Sequence, residues 1–175
     1  MKNKILIIGL ISALFISCEK EKEKANDIIN ENENVGEIID ITSECEFPED
    51  FLTVCFCGCC SSEHKDYVFR DNDSFQEFGE AVRTNFTGCS TASLPCINFS
   101  KYTLLKLETN ASGGTVTYDR KVIKDTGNRK IIYHVSVHYE GMYMIDISNS
   151  NWAIVPKIPD NYTVEFVSET NQKSF

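Results

Sequence analysis

The stretch that decides the fold reads INFSKYTLLKLETNASGGTVTYDRKVIKDTGNRKIIYHVSVHYEG, residues 97–141, completed by WAIVPKIPDNYTVEFV, residues 152–167. From Ile131 to Tyr139, the residues Ile131, Tyr133, Val135, Val137 and Tyr139 alternate with Ile132, His134, Ser136 and His138. That period of two belongs to a strand with one buried face. Val116, Tyr118 and Val122 alternate in the preceding run, with Arg120 interrupting the apolar row. Residues 103–109 are richer in Leu and Thr, which predicts a more central strand. Ala111-Ser112-Gly113-Gly114 brings glycines that accept positive φ, so a tight turn between antiparallel strands is expected there. Asp125-Thr126-Gly127-Asn128 reads as the next hairpin loop by the same chemistry. The expectation is an antiparallel sheet.

One helix precedes that sheet. Asp73 or Ser74 is placed to cap it, with Gln76 or Glu77 three residues on completing a capping box. Phe75, Phe78, Val82 and Phe86 form an apolar stripe, and Glu77, Glu80 and Arg83 face away. Gly88 is placed to stop the helix. Gly79 inside it costs about 1 kcal/mol relative to alanine, which points to close packing against the sheet.

The chain begins as an address. Lys2 and Lys4 precede an apolar run, Ile5 to Ile16, which is too short to span a bilayer. Phe15-Ile16-Ser17-Cys18 then resembles the processing box of a bacterial lipoprotein signal, with Phe15 in place of the usual leucine. The resemblance implies cleavage after residue 17 and lipid on Cys18, as the one covalent group and the membrane contact. An ordinary secretory signal is the alternative. Lys2 and Lys4 are the only charged residues among the first 17, so their removal takes the formal charge from −9 to −11. So acidic a surface argues against nucleic acid, whose affinity comes largely from Lys and Arg against phosphate.

Residues 18–44 read as the lipidated cysteine and a flexible tether, since EKEKEK lacks apolar residues and NDIINENEN adds only isolated isoleucines. A short solvated helix is the other reading. Charges just after the lipidated cysteine resemble the export tags of surface lipoproteins in Bacteroidota. An outer-membrane position leaning to the cell surface follows as an expectation. Residues 45–175 are then one globular domain, opening with a Cys-rich segment at 45–69.

Seven cysteines remain after Cys18: Cys45, Cys55, Cys57, Cys59, Cys60, Cys89 and Cys96. An odd number leaves one without an intramolecular partner. In an oxidising envelope, disulfides are the default. Cys89 and Cys96 form the simplest pair, across a short loop with Pro95. The competing reading is a thiolate metal site at Cys55, Cys57, Cys59 and Cys60, which His64 could join if the cluster is reduced. The spacing lacks the two-residue gaps of a zinc knuckle, so neither metal nor another cofactor is assigned.

Catalytic signatures are thin. His134 and His138 lie about 13 Å apart in an extended strand, too far to share one metal ion. There is no G-x-S-x-G elbow and no H-E-x-x-H, and Gly113-Gly114 lacks the setting of a phosphate loop. The chain is read as non-enzymatic.

Phe99-Ser100-Lys101-Tyr102-x-Leu104-Leu105, Ser112-Gly113-Gly114-Thr115 and Val155-Pro156-Lys157 resemble the C-terminal domain of the PrcB-like, protease-complex-stabilising proteins, over residues 70–168. Asn98 stands where that family often has Asp, and Thr115 replaces the aromatic that follows the glycines. The resemblance implies a non-catalytic, protein-binding role in the envelope. The resulting expectation is an α+β domain, mostly antiparallel sheet with one amphipathic helix, disulfide-stapled. It would bind another envelope protein through Ser112, Gly113 and Gly114 and an aromatic strip of Tyr139, Tyr143 and Trp152. Those aromatics alternatively close the edge of the core. Metal binding by the cysteine cluster and protease inhibition are the competing functions. No small-molecule ligand is indicated.

Overall fold

The structure is a computed structural model that describes residues 36–48, 66–85, 94–112, 115–141 and 146–172. The strands are β1 (Ile38–Asp40), β2 (Asp66–Phe69), β3 (Tyr102–Ser112), β4 (Thr115–Asp125), β5 (Lys130–Glu140), β6 (Asp146–Pro156) and β7 (Thr163–Gln172). One helix, α1 (Asn72–Asn85), lies between β2 and β3, and a 3₁₀ turn occupies Thr42–Glu44. The described chain is mostly strand with one helix, an α+β arrangement.

The strands form two sheets rather than one. A four-stranded sheet runs β1-β4-β5-β7 and a three-stranded sheet runs β2-β3-β6. Every pairing is antiparallel except β5 with β7, which is parallel from Lys130↔Thr163 to Tyr139↔Gln172. The Ala111–Gly114 turn is therefore no hairpin between paired strands. It carries the chain from one sheet to the other, because β3 pairs with β2 and β6 while β4 pairs with β1 and β5. Alternation reports which residues face inward but not which strands are neighbours, so the single-sheet expectation is corrected here.

The pattern of β5 is confirmed, with Ile131, Tyr133, Val135 and Val137 buried. They meet Leu105, Leu107 and Ala111 of β3 and Ala153 and Val155 of β6, forming the core between the sheets. Arg120, the apparent interruption on β4, points into the same space. Its Nε donates to Oδ1 of the buried Asn151 at 3.1 Å, and Asn151 Nδ2 donates to Thr109 Oγ1 at 2.9 Å. A polar side chain at this depth is tolerated because its hydrogen bonds are made, and these tie the two sheets together.

The second face of the small sheet is covered by α1. Phe69, Phe75, Phe99, Leu104 and Trp152 form a second buried cluster, with Tyr67, Phe78, Leu94, Ile97 and Ile154 packed against it. Phe69 sits centrally, its ring 5.3 Å from both Phe75 and Phe78. β3 is thus buried on both faces, Thr103 to Leu107 consecutively, and it is the central strand that its composition predicts.

The helix begins earlier than expected. Asp71 is the cap: its Oδ1 accepts from Ser74 N at 2.8 Å, and Ser74 Oγ donates back to Asp71 O at 3.2 Å. The Ser74 amide holds the Asp71 carboxyl below the usual carboxylate range. Phe75 is fully buried and Phe78 and Val82 half-buried, as the stripe requires. Phe86 and Gly88 lie outside the described residues. Gly79 does pack closely, but against Leu94 rather than the sheet: a Cβ there would lie 2.5 Å from Leu94 Cδ1 and 2.8 Å from Cγ.

The N-terminal segment is also revised, because the domain takes in residues placed in the tether. β1 pairs with the end of β4 (Ile38↔Asp125, Asp40↔Ile123), Ile41 is buried, and Glu46 bridges to Ile154. The isoleucines looked too sparse to build a core, but here they add to one that exists, with backbone bonds supplied by β4. This strap runs from the edge of the large sheet to the edge of the small one. The β4–β5 hairpin beside it follows the sequence: Asn128 N and Nδ2 donate to the Asp125 carboxylate at 2.9 and 2.7 Å. Positive φ falls on Arg129, however, and Gly127 is needed for close approach, since a Cβ would lie 2.7 Å from Gly36 Cα.

Helix propensity alone makes Gly79→Ala stabilising by about 1 kcal/mol. The Leu94 contact reverses the sign, so the single variant is expected to lose about 1 kcal/mol through overpacking. In a Leu94→Ala background the same change is expected to stabilise. Urea midpoints at constant slope measure both.

Candidate functional site at the two ends of the domain

The register places the chain connections at opposite ends. β4 runs from Thr115 to Asp125, roughly 34 Å at strand rise. At the Asp125 end lie the β4–β5 hairpin and Gly36, where the N-terminal arm enters. At the Thr115 end, Thr115 pairs with Glu140 and Ser112 with Asp146. The connections β3–β4 and β5–β6 therefore both leave from that second end, and both pass between the sheets. Tyr139↔Gln172 brings the end of β7 to it as well.

The expected binding residues divide accordingly. Ser112 is exposed at the second end and Tyr139 lies close by, half-buried against the inter-sheet core. Gly113, Gly114 and Tyr143 fall outside the described residues, on the two connections at that end. Trp152 does not join them. It is 3% exposed, stacks with Phe69 at 6.3 Å and meets Phe78 edge-on at 6.0 Å. An exposed aromatic strip through Trp152 is thereby corrected, because α1 covers that face of β6.

Trp152 instead helps enclose a charge. Lys106, its cross-strand partner, is 2% exposed, and its Nζ lies 5.3 Å from the Tyr67 ring centroid and 6.0 Å from those of Phe78 and Trp152. Glu108 Oε2 stands 3.4 Å away. A buried ammonium is expensive unless paired, and here three ring faces and one carboxylate replace water. The sequence held a signal for this: a lysine inside the apolar run Leu104 to Leu107, in a strand expected to be central. Alternation alone assigns such a lysine to solvent.

Two of the three motifs that carry the family resemblance, Phe99–Leu105 and Val155–Lys157, meet at the end opposite Ser112. Lys157 N donates to Lys101 O at 2.8 Å, and Lys157 Nζ donates to Arg70 O and Phe99 O at 2.7 and 2.9 Å. Arg70 in turn donates to the carbonyls of Ile158 at 2.8 Å and Tyr162 at 3.1 Å. Two cations thus fasten the β6–β7 connection to the ends of β2 and β3. Asn98 Oδ1 accepts from Ser100 N and Oγ at 3.1 and 2.6 Å, a role a carboxylate oxygen would also fill. These positions are architectural.

Of the cysteines, Cys45 and Cys96 are described. Cys96 does not titrate as a free thiol, and no bridge has both its cysteines among the described residues. Cys45, counted among the disulfide candidates, is a free thiol. It sits half-buried against the inter-sheet core and donates to Ile41 O at 3.3 Å. Burial, with help from the Glu44 and Asp40 charges, pushes it up to about 12, so it is a poor nucleophile. Cys18, Cys55, Cys57, Cys59, Cys60, Cys89 and His64 lie outside the described residues.

His134 and His138 share the outer face of β5. His138 Nε2 is 3.0 Å from Asp119 Oδ2 and His134 Nε2 3.7 Å from Glu169 Oε1. Ser136 Oγ, between them, donates to Glu169 Oε1 at 2.6 Å. This hydroxyl points to a carboxylate rather than to either imidazole. Among the described residues no group of three metal-ligating side chains converges, and no helix is long and apolar enough to cross a membrane. Neither a family model, a characterised protein nor a solved structure matches the chain.

Trp152→Ala is expected to destabilise by about 3–5 kcal/mol in chemical denaturation, as for a buried aromatic, instead of acting on binding alone. Alkylation without reductant is expected to label Cys45 only after the protein is unfolded. Peptide mapping identifies the labelled residue.

Proposed function

We propose that this chain is a lipid-anchored envelope protein whose domain is a non-catalytic, protein-binding or accessory module. On the PrcB-like resemblance, its role would be to stabilise another envelope protein or a protease complex. The observation that carries this reading is the separation of the two ends. The arm that leads back to Cys18 enters beside the β4–β5 hairpin, and Ser112 and the two sheet-crossing connections lie at the far end. A lipid on Cys18 would hold the first end toward the membrane and leave the second facing outward. Outer-membrane anchoring with the domain on the surface side, and a scaffold stapled by disulfides, belong to the same proposal.

Cys18→Ser is expected to move the protein from the membrane to the soluble fraction. Ser112→Arg should keep the melting temperature within about 2 °C while removing cross-linked adducts formed in intact envelopes. Arg129→Glu, at the arm end, should leave those adducts in place. Equal adduct loss from both variants, or unfolding of Ser112→Arg, would count against a binding surface at the second end.

A further inference from the structure

Strand β7 is longer than its contribution to the core requires. Val164 and Phe166 pack against the inter-sheet core, yet every residue from Ser168 to Gln172 is exposed, whichever face it occupies. This half of the strand continues the parallel pairing with β5 without a break, ten partners in succession. Among the described residues nothing pairs with its other edge. Edge strands are ordinarily blunted by shortness, a bulge, a proline or charged side chains, lysine above all. β7 is long and continuously paired, without proline or lysine: it reads TVEFVSETNQ, and Glu165 and Glu169 are its only charges. Both are exposed on the outer face, four residues apart, and both touch β5: Glu165 through Lys130, and Glu169 through Ser136 and His134.

From this we infer that the free edge of β7 is an addition site for an extended segment of a partner protein, with basic residues spaced to stand beside Glu165 and Glu169. The N–H and C=O groups of that edge, which pair with no strand among the described residues, supply the backbone template, and the two carboxylates set the sign of the incoming side chains. A second copy fits less well. Antiparallel self-pairing centred on Val167 would set Glu165 opposite Glu169 of the copy, a like-charge pair that destabilises a sheet. The inference deepens the protein-binding reading above, since the Gln172 end of the edge reaches the same end of the domain as Ser112.

The test uses the mature full-length protein and a labelled ten-residue Thr/Val peptide with lysines at its third and seventh positions. A control peptide carries glutamates there. Fluorescence anisotropy reads binding, and amide hydrogen exchange locates it. The lysine peptide is expected to bind at least tenfold more tightly than the control and to protect residues 163–172. The double variant Glu165→Lys with Glu169→Lys should reverse the preference, and Thr170→Lys, which leaves both carboxylates and the β5 contacts in place, should weaken binding of either peptide. Equal affinity for both peptides, or protection elsewhere in the chain, would overturn the proposal. So would concentration-dependent protection of β7 in peptide-free protein, which marks a second copy. Protection of β7 in peptide-free protein that vanishes on deleting residues 19–35 would assign the edge to the chain's own arm instead. This failure is separable from that of the binding reading, which rests on the Ser112→Arg adducts and not on the peptide.

Discussion

The burial of β3 on both faces is the constraint from which the rest of the domain follows. A strand with solvent on neither side needs a layer above and a layer below, so two layers could not suffice. The large sheet covers the row Thr103, Leu105, Leu107, Thr109 and Ala111. The helix covers the row Leu104 and Lys106, with Trp152 and Ile154 of β6 and Tyr67 and Phe69 of β2 beside them. β3 has both its edges paired within the small sheet, and its connection to β4 leaves for the large one. The crossing at Ser112 is therefore a consequence of the core rather than a local preference of the turn.

That arrangement places polar groups inside the domain, and three of them are satisfied in different ways. Lys106 is held by ring faces and by Glu108, Asn151 by Arg120 and Thr109, and Thr103 by the Ile158 amide, which donates to its Oγ1 at 3.1 Å. Such groups add little net stability over apolar ones of the same shape, but they penalise misplacement strongly. Asn151 and Arg120 fix how the two sheets sit against each other. Lys106 fixes how α1 lies on the small sheet, since a shifted helix would leave an ammonium in an apolar space.

The same physics explains why the polar surface is concentrated where it is. The outer face of the large sheet is a row of cross-strand pairs: Lys130 with Glu165, Ser136 and His134 with Glu169, and His138 with Asp119. The contacts to Glu165 and Glu169 hold β7 beside β5, where a parallel strand has no hairpin to position it. Exposed pairs of this kind are individually weak, and what they set is register. The resulting domain has a fastened end, where the arm, the hairpin and the Thr126–Glu37 bonds converge, and an end from which connections emerge.

Much of this was legible in the residues themselves. The alternation of β5, the stripe of α1, the Asp125–Asn128 loop and the central character of 103–109 are local consequences of side-chain period and turn chemistry, and they survive in the structure. That Cys45 is a free thiol was not legible, since its burial depends on a strap packed against distant strands. Which strands pair was not legible, nor that Ser112 begins a crossing, that Gly79 faces Leu94, or that Trp152 and Lys106 are buried together. Period fixes which way a side chain points relative to its own backbone. Only the packing of separate segments decides whether that direction leads to water, to a second sheet or to a helix.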